Sequence, residues 1–98
     1  MEDGHTYRLG TRAVRAGYAP TEANAPAVPP ICVSSSFLFE SSQHAADLFS
    51  LQDTGFIYSR INNPTCDVLE QRLASLDGGV AALTFASGLA AITTTVLG

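Results

Sequence analysis

The chain is predicted to be an α/β protein with a parallel sheet and crossover helices, and three features of its 98 residues point there. Residues 64–76 repeat leucines at helical spacing, residues 80–85 make an apolar run of strand length, and a second helical pattern opens at Ser87. Helix, strand and helix in that order imply a sheet covered by helices, since a parallel strand is reached only through a crossover. The composition agrees, with 46% apolar and 14% charged residues, the balance of a buried α/β segment.

Taken in order, residues 1–9 lack periodicity and are expected to be mobile. Thr11 can cap a short helix over residues 12–16, which Gly17 can end in the left-handed conformation. Residues 18–30 carry four prolines and no glycine, which predicts an extended arm without helix or strand. Residues 31–39 read as extended, with Val33, Phe37 and Phe39 around Ser34-Ser35-Ser36. No base accompanies these serines, so they are read as strand or turn hydroxyls rather than nucleophiles. Ser41 or Ser42 then caps a helix to about Leu51, with Ala45, Leu48, Phe49 and Leu51 on its apolar face. His44, near its start, is read as solvated or capping rather than as a ligand, because His5 is the other histidine.

Asn63 is a favoured N-cap, and Pro64 suits the first helical position because the N–H it lacks would be unpaired there. Leu69, Leu73 and Leu76 follow at i, i+4 and i+7 as a core stripe that Val68 widens. Asp67 and Glu70 lie where the helix dipole favours them and are read as solvated charge, not as an acid–base couple. Asp77-Gly78-Gly79 ends the helix. In the last helix, Leu89, Ile92 and Val96 share one face.

Two short motifs bear on chemistry. Tyr58 and Arg60 stand two residues apart, on one side of a predicted strand just ahead of a helix start. A guanidinium fork matches phosphate oxygens, and a phenol adds a donor. Ser87-Gly88 sits at a strand-to-helix turn, where glycine admits close backbone approach and the first helical N–H groups can seat an anion.

Composition excludes several other roles. A net charge of −4 with scattered arginines offers no basic stripe for nucleic acid. Cys32 and Cys66 match no metal spacing and are read as reduced thiols. No run reaches the ~20 apolar residues of a membrane span. The polar, acidic start resembles neither a signal nor a transit peptide, so a cytoplasmic protein is expected. All five basic residues are arginines: Arg8, Arg12, Arg15, Arg60 and Arg72. Lysine is absent.

The motifs in this order resemble the pyridoxal 5'-phosphate (PLP) enzymes of cysteine and methionine metabolism, the family of cystathionine γ-synthase, methionine γ-lyase and O-acetylhomoserine sulfhydrylase. The likeness runs through Thr11-Arg12-Ala13-Val14-Arg15-Ala16-Gly17, Pro29-Pro30-Ile31 and Tyr58 to Thr65. It continues through Asp67-Val68-Leu69-Glu70, Leu76-Asp77-Gly78-Gly79 and the Ser87-Gly88 turn. His44-Ala45-Ala46-Asp47-Leu48-Phe49, ahead of Gly55-Phe56-Ile57-Tyr58-Ser59-Arg60, resembles the sulfhydrylase branch. Leu89, where that branch more often has a polar residue, is nearer the lyase and synthase pattern.

The resemblance implies a fold type I, aspartate aminotransferase-like large domain. Residues 1–60 would be an N-terminal arm and inter-subunit segment, and residues 61–98 the start of the PLP-binding domain. It implies that Ser87, Gly88 and Leu89 hold the PLP phosphate of their own subunit, while Tyr58 and Arg60 reach the cofactor of a neighbour. A dimer would then be the minimum unit and a tetramer the usual assembly. The implied reaction is γ-replacement, in which O-acetyl-L-homoserine and sulfide or a thiol give homocysteine or methionine plus acetate. Tyr58 could assist the leaving group.

The Schiff-base lysine of this chemistry has no counterpart here. The chain, roughly a quarter of the length the family implies, is therefore expected to be an N-terminal fragment that is inactive alone. The alternatives are a cystathionine γ-synthase or methionine γ-lyase, or a non-catalytic remnant that binds an intact subunit.

Overall fold

The computed structural model describes residues 6–98. The expectation for residues 1–9 falls largely outside that range, as does His5. Four helices follow in order: α1 (Leu9–Arg15), α2 (Ser42–Phe49), α3 (Pro64–Asp77) and α4 (Gly88–Leu97).

α3 is the longest helix, and its boundaries follow from its sequence. Asn63 Oδ1 accepts the Thr65 N–H at the start, Pro64 occupies the first turn, and Gly78 closes the end at φ 69°. α1 starts earlier than expected, with Arg8 as N-cap and no side-chain cap, so Thr11 lies inside the helix. It packs on α3. Arg12 Nη1 donates to the Ser75 carbonyl at 2.8 Å, and Arg72 Nε donates to the Ala16 carbonyl at 2.8 Å. Ala16 is buried at this contact.

Gly17 adopts φ 85°, and a Cβ there would stand 2.8 Å from the Val68 carbonyl oxygen and 3.0 Å from Gln71 Cβ. Both the left-handed backbone and the close approach to α3 therefore demand glycine.

Residues 18–30 contain no helix or strand, as expected, but they do not extend away. Asn24, left-handed at φ 66°, lies in a turn in which Ala25 N–H donates to the Glu22 carbonyl. Tyr18 Oη then donates to the Pro26 carbonyl at 2.7 Å, closing the loop on itself.

Ser41 caps α2 by accepting the His44 N–H, and His44 Nδ1 accepts the Glu40 N–H at 3.1 Å. That is the capping role expected of His44. α2 ends at Phe49, short of the expected Leu51, which is left-handed at φ 63°. Its Leu48 is buried, and Phe49 lies 6.1 Å from Phe39 between ring centroids. The Ser34 hydroxyl donates to the Ser36 carbonyl, a turn role as expected.

Among the described residues no strand ladder forms; there is one isolated antiparallel bridge, Ser36 to Tyr58. Residues 80–85, expected as a strand, have no partner strand among them. The leucine stripe of α3 is partly uncovered, with Leu69 49% and Leu73 43% exposed. On α4, Leu89, Ile92 and Val96 are also exposed. The spacing that predicted these faces is present, and on α3 Val68 and Leu76 are half-buried while Leu69 and Leu73 stay largely open. The hydrophobic core among the described residues is Ala16 and Leu48.

Candidate functional site

The Tyr58–Arg60 motif sits where an extended segment ends. Phe37 N–H donates to the Ile57 carbonyl, and Ser59 N–H donates to the Ser35 carbonyl at 2.9 Å, which fixes the chain on both sides of Tyr58. The chain then turns at once: the N–H groups of Ile61 and Asn62 both reach the Tyr58 carbonyl, at 2.9 and 3.0 Å. Arg60 is thus in a turn rather than on the expected strand. The turn folds its guanidinium over the Tyr58 ring, 5.1 Å from the centroid, within cation–π range. Both residues are exposed, and among the described residues no carboxylate pairs with Arg60. A cation stacked on a phenol and lacking a counter-ion is suited to receive an anion.

The α4 start is built differently. Ser87 is the N-cap, and its Oγ accepts the Ala90 N–H at 3.1 Å. The N–H groups of Gly88 and Leu89, in the first turn, have no acceptor within the helix. A Cβ added to Gly88 would meet no atom within 4 Å. The chain itself therefore does not require glycine here; the open space beside the free donors is available to a ligand. The Ser87 hydroxyl proton also remains free to donate, since the oxygen serves the cap as acceptor.

Tyr58 and Arg60 come together, and so do Ser87, Gly88 and Leu89. A cleft of about 360 Å³ runs between the 59–63 turn, α3 and residues 83–86. Arg60, Asn63, Cys66, Glu70, Thr84 and Ala86 line it, whereas Tyr58, Ser87, Gly88 and Leu89 do not.

Two residues carry more than the sequence suggested. Glu70, expected to be solvated, is half-buried, and its Oε2 accepts both the N–H and the hydroxyl of Thr84, at 2.9 and 3.1 Å. That carboxylate moors residues 80–86 to α3. Asn63 does more than cap: Nδ2 donates to the Cys32 carbonyl and to Ser59 Oγ, at 3.1 and 2.9 Å. Nothing in the spacing announces the Glu70–Thr84 bond, because its partners lie on separate elements. The Asn63-Pro64-Thr65 string did signal a junction. Cys32 and Cys66 are both free thiols. Among the described residues no His/Cys/Asp/Glu group could hold a metal, and no helix is long and apolar enough to cross a membrane.

Comparison with known proteins follows the same lines. Residues 10–98 match the family described as Cys/Met metabolism PLP-dependent enzyme. O-acetyl-L-homoserine sulfhydrylase 1 of Thermus thermophilus is 52% identical over 86% of this chain and 20% of its own length. L-methionine gamma-lyase of Pseudomonas putida is 44% identical over 90% of this chain and 22% of its own. Among solved structures, one described as an O-acetylhomoserine (thiol)-lyase of Campylobacter jejuni, containing N'-pyridoxyl-lysine-5'-monophosphate, superposes with a TM-score of 0.88 at 37% identity. That match covers 94% of this chain and 22% of the other. The chain spans about a fifth of the length of the curated relatives it matches, 20% of the sulfhydrylase.

Proposed function

The chain belongs to the family of Cys/Met metabolism PLP-dependent enzymes, with the fold type I architecture of its structural neighbours, and from that membership we propose that it supplies the cofactor-phosphate anchorage of an O-acetylhomoserine sulfhydrylase. The observation that carries this is the exposed Arg60 guanidinium over Tyr58, with no carboxylate partner among the described residues. A phosphate dianion needs several charge-assisted bonds to offset its lost hydration. Arg60 and the Tyr58 phenol provide one set. The Gly88 and Leu89 N–H groups with the Ser87 hydroxyl provide a second, at the positive end of α4. The two sets are assigned to two cofactors, in an assembly of at least two subunits, a tetramer being two such dimers.

When bound, PLP withdraws electrons from the α-carbon of an amino-acid substrate. The residues of this chain hold the phosphate end, and Tyr58 Oη can donate a proton or hydrogen bond to the departing acetate. The net reaction breaks the Cγ–O bond of O-acetyl-L-homoserine and forms a Cγ–S bond. Sulfide then gives homocysteine and methanethiol gives methionine. We place the enzyme in the cytoplasm. Residues 1–60 are proposed as the arm and inter-subunit segment, and residues 61–98 as the opening of the large domain.

Greater identity to the sulfhydrylase than to the lyase, 52% against 44%, favours γ-replacement. The apolar Leu89 favours a γ-lyase or γ-synthase as the second reading. Product analysis separates them: homocysteine from O-acetylhomoserine and sulfide supports the first, whereas cystathionine with cysteine in place of sulfide marks a γ-synthase and 2-oxobutanoate from methionine a γ-lyase. For the anchorage itself, Arg60→Ala in the holoenzyme is expected to weaken cofactor retention by ~2–5 kcal/mol, the scale for truncating one partner of a buried charge pair. Unchanged cofactor content after dialysis would overturn it.

A further inference from the structure

We infer that Asn63, acting through Ser59, is the positioning residue of the Tyr58–Arg60 pair; the inference rests on the reading of that pair as a phosphate anchor. Asn63 is 8% exposed, the buried polar side chain among the described residues. An asparagine side chain offers one acceptor oxygen and two N–H donors, and here each is committed. Oδ1 accepts the Thr65 N–H at 2.9 Å, while Nδ2 donates to the Cys32 carbonyl and to Ser59 Oγ. The network fixes the amide orientation, since a flip would set Oδ1 against the Cys32 carbonyl.

Helix capping needs only the oxygen, and aspartate or serine would cap as well. The amide nitrogen is required for the other task, which is to hold Ser59. Ser59 is the residue between Tyr58 and Arg60. Its hydroxyl proton goes to the Ser34 carbonyl, its oxygen takes the Asn63 N–H, and its backbone N–H goes to the Ser35 carbonyl. Three bonds to two different segments leave the 58–61 turn little freedom to swing. Asn63 thereby couples the α3 start to the direction in which the guanidinium and phenol point. The Arg60 guanidinium rests on the Tyr58 ring, a neighbour in the same turn, so its placement depends on how that turn is held.

Asn63→Asp separates the two tasks, because it keeps the cap and removes both donors. Ser59→Ala leaves the cap untouched and removes the link. In the holoenzyme each is expected to raise the PLP dissociation constant about tenfold, the scale of one lost buried hydrogen bond, with helix content by circular dichroism unchanged. Equilibrium dialysis with PLP measures this. In a Tyr58→Phe/Arg60→Ala background the Asn63→Asp effect on PLP binding should vanish, which a purely structural role would not do.

A full-sized effect persisting in that background overturns the inference, and so does unchanged PLP binding in both Asn63→Asp and Ser59→Ala. Should Asn63→Asp fail to fold, Ser59→Ala carries the same cycle. Unchanged PLP binding in the Tyr58→Phe/Arg60→Ala protein itself overturns the anchor reading beneath the inference, a result distinct from failure at Asn63 alone.

Discussion

The segments before α3 and the segment after it are tied to that helix to different degrees. Before it, α1, Gly17, residues 30–36 and the 58–63 turn are each fastened by directional bonds from Arg12, Arg72, Thr65 or Asn63. After it, residues 80–98 are moored through the Glu70 carboxylate to Thr84, and Val80, Leu83, Leu89, Ile92 and Val96 face outward. The contrast teaches that many directional bonds close inside this stretch of sequence, though Arg12 Nε, Asn62 Oδ1 and Arg72 Nη2 stay unpartnered, whereas the burial of its apolar faces is far less complete. Directional bonds need two partners and can close locally. Hydrophobic burial needs whole surfaces, and it drives folding more strongly than hydrogen bonding does.

The contrast can be broken most forcefully at Gly17. Gly17→Ala should destabilise the holoenzyme by ~2–4 kcal/mol, combining a left-handed alanine with displacement of the Val68 carbonyl. A denaturant midpoint equal to wild type would show that the α1–α3 contact is not the tight one described. Next in size, Thr65→Val removes the hydroxyl that accepts from Cys32 N–H and donates to the Pro30 carbonyl, at 2.8 and 3.0 Å. A loss of ~1–3 kcal/mol is expected, because the Cys32 N–H and the Pro30 carbonyl both lose their partner. Thermal unfolding checks it.

The later region should respond less. Glu70→Gln keeps an acceptor for Thr84 but removes its charge, so ~1 kcal/mol is the expected cost. Amide exchange at Thr84 should quicken while that at Cys32 stays unchanged; equal acceleration at both would erase the distinction between the regions. The smallest stability effect is expected at Gly88. Nothing lies within 4 Å of an added Cβ, so Gly88→Ala should change stability by less than ~0.5 kcal/mol. PLP affinity should nonetheless fall if the space beside the α4 start receives the phosphate. Unchanged affinity by equilibrium dialysis would leave that space without the proposed occupant.

Local signals were the readable ones. Asn63, Pro64 and Gly78 bound α3 as their types dictate, Ser87 caps α4, and Gly17 is left-handed as its place after a helix suggested. Each depends on a few neighbouring backbone atoms. The fold family was also readable, because the Tyr58–Thr65 and Ser87-Gly88 strings keep their order. The Arg60 side chain was less so. Alternation put it beside Tyr58 on a strand, whereas hydrogen bonds from Ile61 and Asn62 make a turn that lays it over the ring. The prolines of residues 18–30 predict an extended arm, but a left-handed Asn24 and the Tyr18 hydroxyl fold it back.

Sequence alone determined the ends of α3, the start of α4 and the absence of lysine, since residue type and spacing within a turn or two suffice for each. Tertiary structure alone decided that Glu70 is a mooring, that Asn63 spends its amide on Cys32 and Ser59, and that Leu69 and Leu73 stay uncovered. Those outcomes depend on which distant segment arrives beside a side chain, and no local pattern encodes that arrival.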